Sequence, residues 1–331
     1  MHLLRRYSPA VLAQLFWAMN FVVGDRVIAE FTPLELTFFR WLGAFPILLV
    51  ITLWIERDRL DKWRLAAKEW WIHIIQAVLG MVGYTLLLYA ALDTTSPVNA
   101  SVISAINPAV IALAAVVVLG ERIRRGGVLG IAISFIGVVI VVLLGGSGGL
   151  SDVRIVPGDL LILGAILAWT AYVIISRRIQ TPPITATTVQ VGMSALMLAP
   201  VMALVGIQAQ PSAEGWWGLA LIIVFPSALA YLLWNVAVTQ LGPSRTGVFL
   251  NLLPVFTAII AVALGDALTV WQVIGGIVVL VGVYLTTRPG ATISADEVRA
   301  AAAAAQDAHA AAAAQGADAA SSDRDRSTGS D

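Results

Sequence analysis

"LGERIRRGGVLGIAISFIGVVIVV" fills residues 119–142, and "LGDALTVWQVIGGIVVLVGVYLTT" fills residues 264–287. Both open Leu-Gly-acid. Gly120, Gly130 and Gly137 recur as Gly265, Gly275 and Gly282, each 145 positions later. A helix needs about 20 apolar residues to cross the hydrocarbon of a bilayer. Each stretch holds such a run after its opening turn, so the chain writes one membrane-crossing unit twice.

The correspondence continues upstream. Ser96-Pro97 matches Gly242-Pro243, Pro108 matches Pro254, and Gly80 aligns with Pro226, all at an offset of 146. Pro33 and Arg40 match Pro183 and Gln190 at 150, and Trp17 matches Trp169 at 152. Drift of this size is what loop insertions and deletions produce.

Composition agrees with a membrane solvent. The chain of 331 residues is 59% hydrophobic and 12% charged, with a mean hydropathy of +0.88. Soluble domains carry about 25% charged residues. The formal net charge is zero, but residues 1–290 carry a slight basic excess. That excess suits basic cytoplasmic loops and is too small to suggest nucleic acid. There is no cysteine, which excludes disulfides, thiolate metal sites and thiol redox chemistry. Only Lys62 and Lys68 among the 20 basic residues are lysine. With the heavy use of alanine, this points to a GC-rich bacterial source.

Ten apolar runs are long enough to span: 8–29, 33–55, 70–92, 96–119, 126–145, 157–178, 184–207, 216–240, 244–265 and 270–287. With the N-terminus inside, the inner loops hold 14 Lys and Arg, against Arg26 and Arg154 outside. The positive-inside rule then places both termini in the cytoplasm. The chain is expected to be an all-α membrane protein of ten transmembrane helices in two inverted five-helix repeats. The repeats cover residues 8–145 and 157–288, joined by an external linker at 146–156 containing the flexible "GGSGG". Residues 289–331 form an Ala-rich cytoplasmic tail, mostly disordered, with a short helix in its first part. A five-span unit ends on the side opposite its start, so its second copy is upside down. That plan is common in secondary transporters, whose substrate sites lie near the midplane between the halves.

These residues also resemble a known family. "WAMNFV" at 17–22, the Pro33-to-Arg40 spacing and "NPAVIALAAVVVLGERIRRGGVLGIAISFIG" at 107–137 are similar to the EamA domain of the drug/metabolite transporter superfamily. The resemblance covers roughly residues 9–288. It implies a ten-helix permease of the bacterial plasma membrane that exports a small amphipathic metabolite, amino-acid-like. Import of a nucleobase-like or vitamin-like compound is the rival reading. One departure is visible: Asp25-Arg26 stands where family members often carry a lysine after the first motif.

Polar and aromatic groups within spans mark the candidate site, because a charge at bilayer depth costs about 2.5–3.5 kcal/mol and is kept for a reason. Arg40 is the basic residue well inside a run, some 10 Å below the outer end at 1.5 Å per residue. It is a candidate cation for a carboxylate or phosphate, or a structural arginine paired with Glu35 or Asp25. Gln14, Trp17 and Asn20 lie on the first helix, and Tyr84 on the third. Trp169 and Tyr172 lie on the sixth, Gln190 on the seventh, and Tyr231, Trp234 and Asn235 on the eighth. Together they offer rings for an apolar body and amides for a polar head. Ser104 and Asn251 lie beside Pro108 and Pro254, mid-span prolines that free a backbone carbonyl and offer symmetry-related hinges.

The glycines of the fifth and tenth helices are expected to pack these helices together or against a second subunit, so a monomer and a homodimer both stay open. These two helices should be peripheral to a cavity between helices 1–4 and 6–9. No acid lies deep in a span, which disfavours a carboxylate proton relay, and His73 near an inner end is expected to be structural. There is no Walker sequence, so ATP is not the energy source. No metal or cofactor is expected, and the lone His309 in the tail lacks partner ligands. An intramembrane enzyme would need a carboxylate pair or a Ser-His dyad at depth, and a non-transporting scaffold would tolerate changes in the cavity.

Overall fold

The computed structural model describes residues 2–28, 30–56, 60–92, 103–144, 156–265, 269–288, 290–293, 298, 300, 303, 304 and 306. The linker glycines at 145–149, Ser96, Pro97 and Ser101, and most of the tail lie outside these residues. In chain order the long helices are α1 (His2–Ile28), α2 (Pro33–Ile55), α3 (Trp70–Ala91), α4 (Asn107–Leu119), α5 (Arg125–Leu144), α6 (Pro157–Ser176), α7 (Pro183–Val205), α8 (Ala213–Leu241), α9 (Pro243–Ile260) and α10 (Val270–Thr287), with a short helix, Leu60–Lys68, between α2 and α3. Eight of them, all but α1 and α4, are long and apolar enough to cross a membrane. Their outward faces carry Trp54, Leu204, Trp217 and Tyr284, all exposed. In lipid this is the favoured side for such groups, and Trp and Tyr at helix ends form the interfacial belt.

Hydrogen bonds sort the loops onto two ends. At one end Tyr7 Oη donates to the Thr287 carbonyl (2.9 Å), and Glu69 accepts from the Gln180 and Thr181 N–H groups (3.0 and 2.9 Å). At the same end Arg178 donates to the Val118 carbonyl (3.3 Å), and Ser244 N–H and Oγ both donate to Glu121. This end gathers the basic loops. At the opposite end Glu35 accepts from the Gln208 and Ala209 N–H groups (2.5 and 2.8 Å), while also closing a capping box with Thr32. Glu30 there accepts from Ser212. The chain therefore weaves up and down between a basic end and an opposite end.

Two antiparallel helix pairs frame the bundle. On α5 and α10 a Cβ at Gly137 would lie 2.6 Å from Val279 N and 2.8 Å from Gly275 O. One at Gly282 would lie 2.6 Å from Gly130 O. Gly130 therefore faces Gly282 and Gly137 faces Gly275, and only glycine allows the two backbones so close. The glycines pack these two helices against each other. On the other side α2 lies along α7, tied by Thr52 Oγ1 to Thr188 Oγ1 (2.6 Å) and by Thr185 Oγ1 to Glu56.

The opening glycine of each quoted stretch has a separate role. Gly120 (φ 75°) and Gly265 (φ 109°) both sit in the left-handed region after the helical run they end. That conformation is costly for a residue with a Cβ. Past α10, β2 (Thr292–Ile293) pairs antiparallel with β1 (Arg122–Ile123). The tail thus begins as an ordered strap, with Ala291 and Thr292 buried. Residues 298, 300, 303, 304 and 306 are helical.

Candidate functional site

The centre of the bundle is a wall of aromatic rings. Trp17 of α1 lies 5.4 Å from Trp169, 5.5 Å from Tyr231 and 5.4 Å from Trp234, centroid to centroid. Trp169 stacks on Tyr172 at 5.2 Å and 28°. Trp41 meets Tyr231 edge-on at 5.0 Å. Each such pair adds about 0.5–1.5 kcal/mol beyond its buried area, so the mutual contacts hold the wall as one unit.

Two irregular segments place these rings. α3 is π-helical over Ala77–Gly83, and α8 over Ile223–Leu229. A π-turn turns carbonyls out of the helical ladder, and such turns concentrate at functional sites. Here the freed carbonyls take ring donors: Pro226 O accepts from Trp17 Nε1 (3.0 Å), and Gly80 O accepts from Tyr231 Oη (2.9 Å). Gly80 is also where the Tyr172 ring presses on α3, since a Cβ there would collide with it. α4 and α9 also carry matched breaks. Pro108 follows a turn at Ala105 and Ile106, and Pro254 follows a 3-10 segment, Val248–Leu252.

On the side of the wall toward the opposite end lies a cavity of ≈ 100 Å³. Trp17, Asn20, Arg40, Tyr84, Trp169 and Tyr231 line it. The six come from five helices, and all were marked by the sequence as mid-span polar or aromatic groups. Arg40 is 6% exposed. Its Nε donates to Ser227 Oγ (3.0 Å), one guanidinium N–H donates to Tyr89 Oη (3.2 Å), and the group lies 4.8 Å from the Trp41 ring centroid. Glu35, a candidate counter-ion, is engaged instead by Thr32 and the 208–209 backbone. No described carboxylate pairs with Arg40; the side chain of Asp25, the other candidate counter-ion, lies outside the described residues. Asn20 Oδ1 and Asn107 Oδ1 are buried without a partner among the described residues.

Toward the basic end a second cavity of ≈ 120 Å³ is lined by Gln190, Asn235, Arg177, Thr181 and Thr239 among others. A polar layer separates it from the wall. Asn235 Nδ2 donates to Tyr172 Oη (2.6 Å) and to Thr187 Oγ1 (2.9 Å), and Tyr172 Oη donates to Gln190 Oε1 (3.4 Å). Thr181 Oγ1 donates to Glu69 (2.6 Å), so it accepts from His73 Nε2 (3.2 Å). His73 Nδ1 is then left to accept from Gln190 Nε2 (3.4 Å). Burial would raise the Glu69 pKa, but the bonds from Thr181 and Gln180 outweigh it and hold the carboxyl below its usual range. Glu121 behaves oppositely: burial pushes its pKa up despite the bonds from Ser244 and the nearby Arg177 and Arg245.

The remaining sequence candidates fall elsewhere. Trp234 is in the wall rather than on a cavity. Gln14 is fully buried with both amide atoms unpartnered among the described residues, and it lines neither cavity. Asn251 donates to Ser134 Oγ (2.8 Å), bracing α9 on α5. Ser104 is half-buried and lines neither cavity. Conversely, Thr85, Tyr89 and Asn107 line the first cavity without having been selected. Tyr89 follows Tyr84 by five positions on α3, and Asn107 is the polar residue before a mid-span proline; both signals were present in the sequence.

Comparison with known proteins agrees with this architecture. The EamA-like transporter family model matches residues 7–143 and 156–288. The uncharacterized transporter YyaM of Bacillus subtilis (strain 168) is 31% identical over 274 residues, covering 81% of this chain and 89% of its own length. An uncharacterized transporter of Archaeoglobus fulgidus is 31% identical over 285 residues, covering 83% of this chain and 95% of its own. A solved structure described only as a crystal structure of a protein superposes with a TM-score of 0.74 at 20% identity, covering 86% of this chain and 96% of its own, a likeness of fold. On the strength of the family match over both halves and of these relatives, the chain belongs to the EamA-like transporter family.

Proposed function

We propose that the protein is a secondary, non-ATP carrier that moves a small amphipathic, amino-acid-like solute outward by alternating access. Arg40 is the observation that carries this reading. A guanidinium taken out of water needs a partner of opposite charge or a full set of acceptors, and among the described residues it has two hydroxyls and a ring. A solute carboxylate supplies what is missing. The bare Asn20 and Asn107 oxygens are acceptors for an ammonium group on the same solute, and the rings of Trp17, Tyr84 and Trp169 suit its apolar part.

Three correspondences support two inverted five-span repeats. The π-segments of α3 and α8 are offset by 146 positions at both ends. The left-handed Gly120 and Gly265 are offset by 145. The pairing of Gly130 with Gly282 and of Gly137 with Gly275 is the reciprocal contact a pseudo-twofold axis requires, since Gly130 is equivalent to Gly275 and Gly137 to Gly282. In this reading the basic end faces the cytoplasm of a bacterium, with both termini inside. The outward direction is inferred from the family resemblance.

Comparing metabolites in medium and cytosol, with and without overexpression, tests this reading. A zwitterion rising in the medium, with the rise absent in Arg40→Ala, is expected. A nucleobase-like compound depleted from the medium would replace the reading with import. Unchanged metabolites with folded protein in the membrane would leave a scaffold.

A further inference from the structure

We propose that the Gly80 carbonyl is a shared acceptor that sets which way the carrier faces: Tyr231 holds it in the conformation seen, and Trp169 takes it in the opposite one. The proposal rests on the inverted-repeat reading above.

The π-segments of α3 and α8 correspond residue for residue at an offset of 146, which makes Gly80 the counterpart of Pro226. Trp17 is likewise the counterpart of Trp169. If the halves were in equivalent states, each tryptophan would donate to the π-segment of the other half. One such bond is present: Trp17 Nε1 to Pro226 O at 3.0 Å. Its counterpart is not. Gly80 O accepts from Tyr231 Oη at 2.9 Å instead, and Trp169 Nε1 is buried with no partner among the described residues.

The displaced donor is close to its acceptor's neighbours. Trp169 is 5.7 Å from Tyr231 and stacks on Tyr172, whose ring lies where a Gly80 Cβ would be. Trp41 and Trp234 also bury an unpartnered Nε1. The residues at their equivalent positions, Val191 and Leu88, are aliphatic, so the repeat relates neither of them to a donor in the other half. The asymmetry thus falls on one bond of an otherwise matched pair.

Bonds between the halves are present at both ends, with Glu35 holding residues 208–209 at the opposite one. At the basic end they join the two proline-broken helices, Glu121 at the end of α4 gripping Ser244 at the start of α9, and in the proposal the state seen is closed there. When the halves exchange roles this end opens, and the symmetric arrangement gives Gly80 O to Trp169. A buried donor without a partner is penalised and a satisfied one is not. Removing the tyrosine hydroxyl therefore favours the state open at the basic end, and removing the Trp169 N–H disfavours it. Tyr231 and Trp169 are positioning residues in this sense, acting on the equilibrium between states and not only on solute contact.

The absence of cysteine from the chain makes the test direct. Leu88→Cys reports on the cavity toward the opposite end and Ala186→Cys on the one toward the basic end. Each is labelled with a membrane-impermeant maleimide in right-side-out and inside-out vesicles. Tyr231→Phe is expected to raise the ratio of basic-end to opposite-end labelling on the order of fivefold, the worth of one net hydrogen bond. Trp169→Phe is expected to lower it by a similar factor. In the Trp169→Phe background, Tyr231→Phe is expected to raise it no longer, a coupling that mere loss of packing does not produce. Unchanged ratios, shifts in the same direction, or an undiminished Tyr231→Phe effect in the double variant would overturn the exchange. Absence of labelling of the parent Leu88→Cys from either end would instead overturn the transport reading itself, since a solute path must reach this cavity.

Discussion

Arg40 donates its Nε–H to Ser227 Oγ at 3.0 Å, and Ser227 donates onward to the Ile222 carbonyl at 2.8 Å. The chain of bonds begins with a missing one. Pro226 has no N–H, so the α-helical partner of Ile222 O is absent and the backbone widens into a π-turn. The serine fills the freed carbonyl and in doing so presents its own oxygen to the guanidinium. The proline of α8 therefore orients the cation of α2.

Arg40→Lys keeps the charge but loses the planar fork that reaches Ser227 and Tyr89 together. Bonds to a charged group are worth about 1.5–3 kcal/mol. Flux of the identified solute at low concentration is expected to fall roughly tenfold to a hundredfold, with normal amounts of folded protein. Ser227→Ala should lower it less, because Tyr89 still holds the group. Equal flux in wild type and Arg40→Lys would remove the solute-anchoring role.

Sequence reading reached the eight apolar spans and the close packing of α5 on α10 because hydrocarbon imposes strong rules on both. An apolar run must be long, and backbones that touch must be free of side chains, so the runs and Gly130, Gly137, Gly275 and Gly282 stand out. The rings of the central wall were legible for the same reason, since Trp17 and Trp169 are large polar-tipped groups at mid-span. Asn251 shows the limit. A polar group in a span must find company, but a neighbouring helix serves as well as a cavity, and Asn251 found Ser134. The π-segments had no propensity signature at all; only the pairing of Gly80 with Pro226 hinted at them.

The glycine contact between α5 and α10 should respond to a single methyl group. A Cβ at Gly137 meets backbone atoms at 2.6–2.8 Å, which cannot move aside, whereas one at Gly276 meets Val255 at an ordinary 3.8 Å. Gly137→Ala is expected to destabilise by about 1–3 kcal/mol, as overpacking does, and Gly276→Ala to be near neutral. Thermal unfolding in detergent distinguishes them, and equal melting temperatures would mean the two helices are not in contact.

Glu69 and Glu121 should give the basic end opposite responses to pH. The Glu69 pKa is lowered in the fold, so its contribution is present above the unfolded carboxyl value and is lost as pH falls through the folded one. Glu69→Gln is therefore expected to destabilise at neutral pH, with the gap to wild type closing in acid. The Glu121 pKa is raised, so its contribution is present below the unfolded value and lost as pH rises through the folded one. Glu121→Gln should gain on wild type from acid to neutral pH. Melting curves across pH 3–8 read both signs; parallel curves would show that neither carboxyl differs between folded and unfolded states.

The strap past α10 makes a final claim about the tail. Arg245 at the start of α9 donates Nε–H to Thr292 Oγ1 (2.6 Å) and a further N–H to the Thr292 carbonyl, and Arg124 N–H donates to Ala291 O at 2.9 Å. A buried guanidinium that loses acceptors is left partly unsatisfied, a change that destabilises by about 1–3 kcal/mol or more. Ending the chain at Arg288 is thus expected to lower the melting temperature, while ending it after Ile293 keeps every one of these bonds and should be neutral. A tail acting only as a disordered appendage would make the two truncations behave alike, so the contrast between them, rather than either value, decides whether residues 290–293 belong to the folded unit.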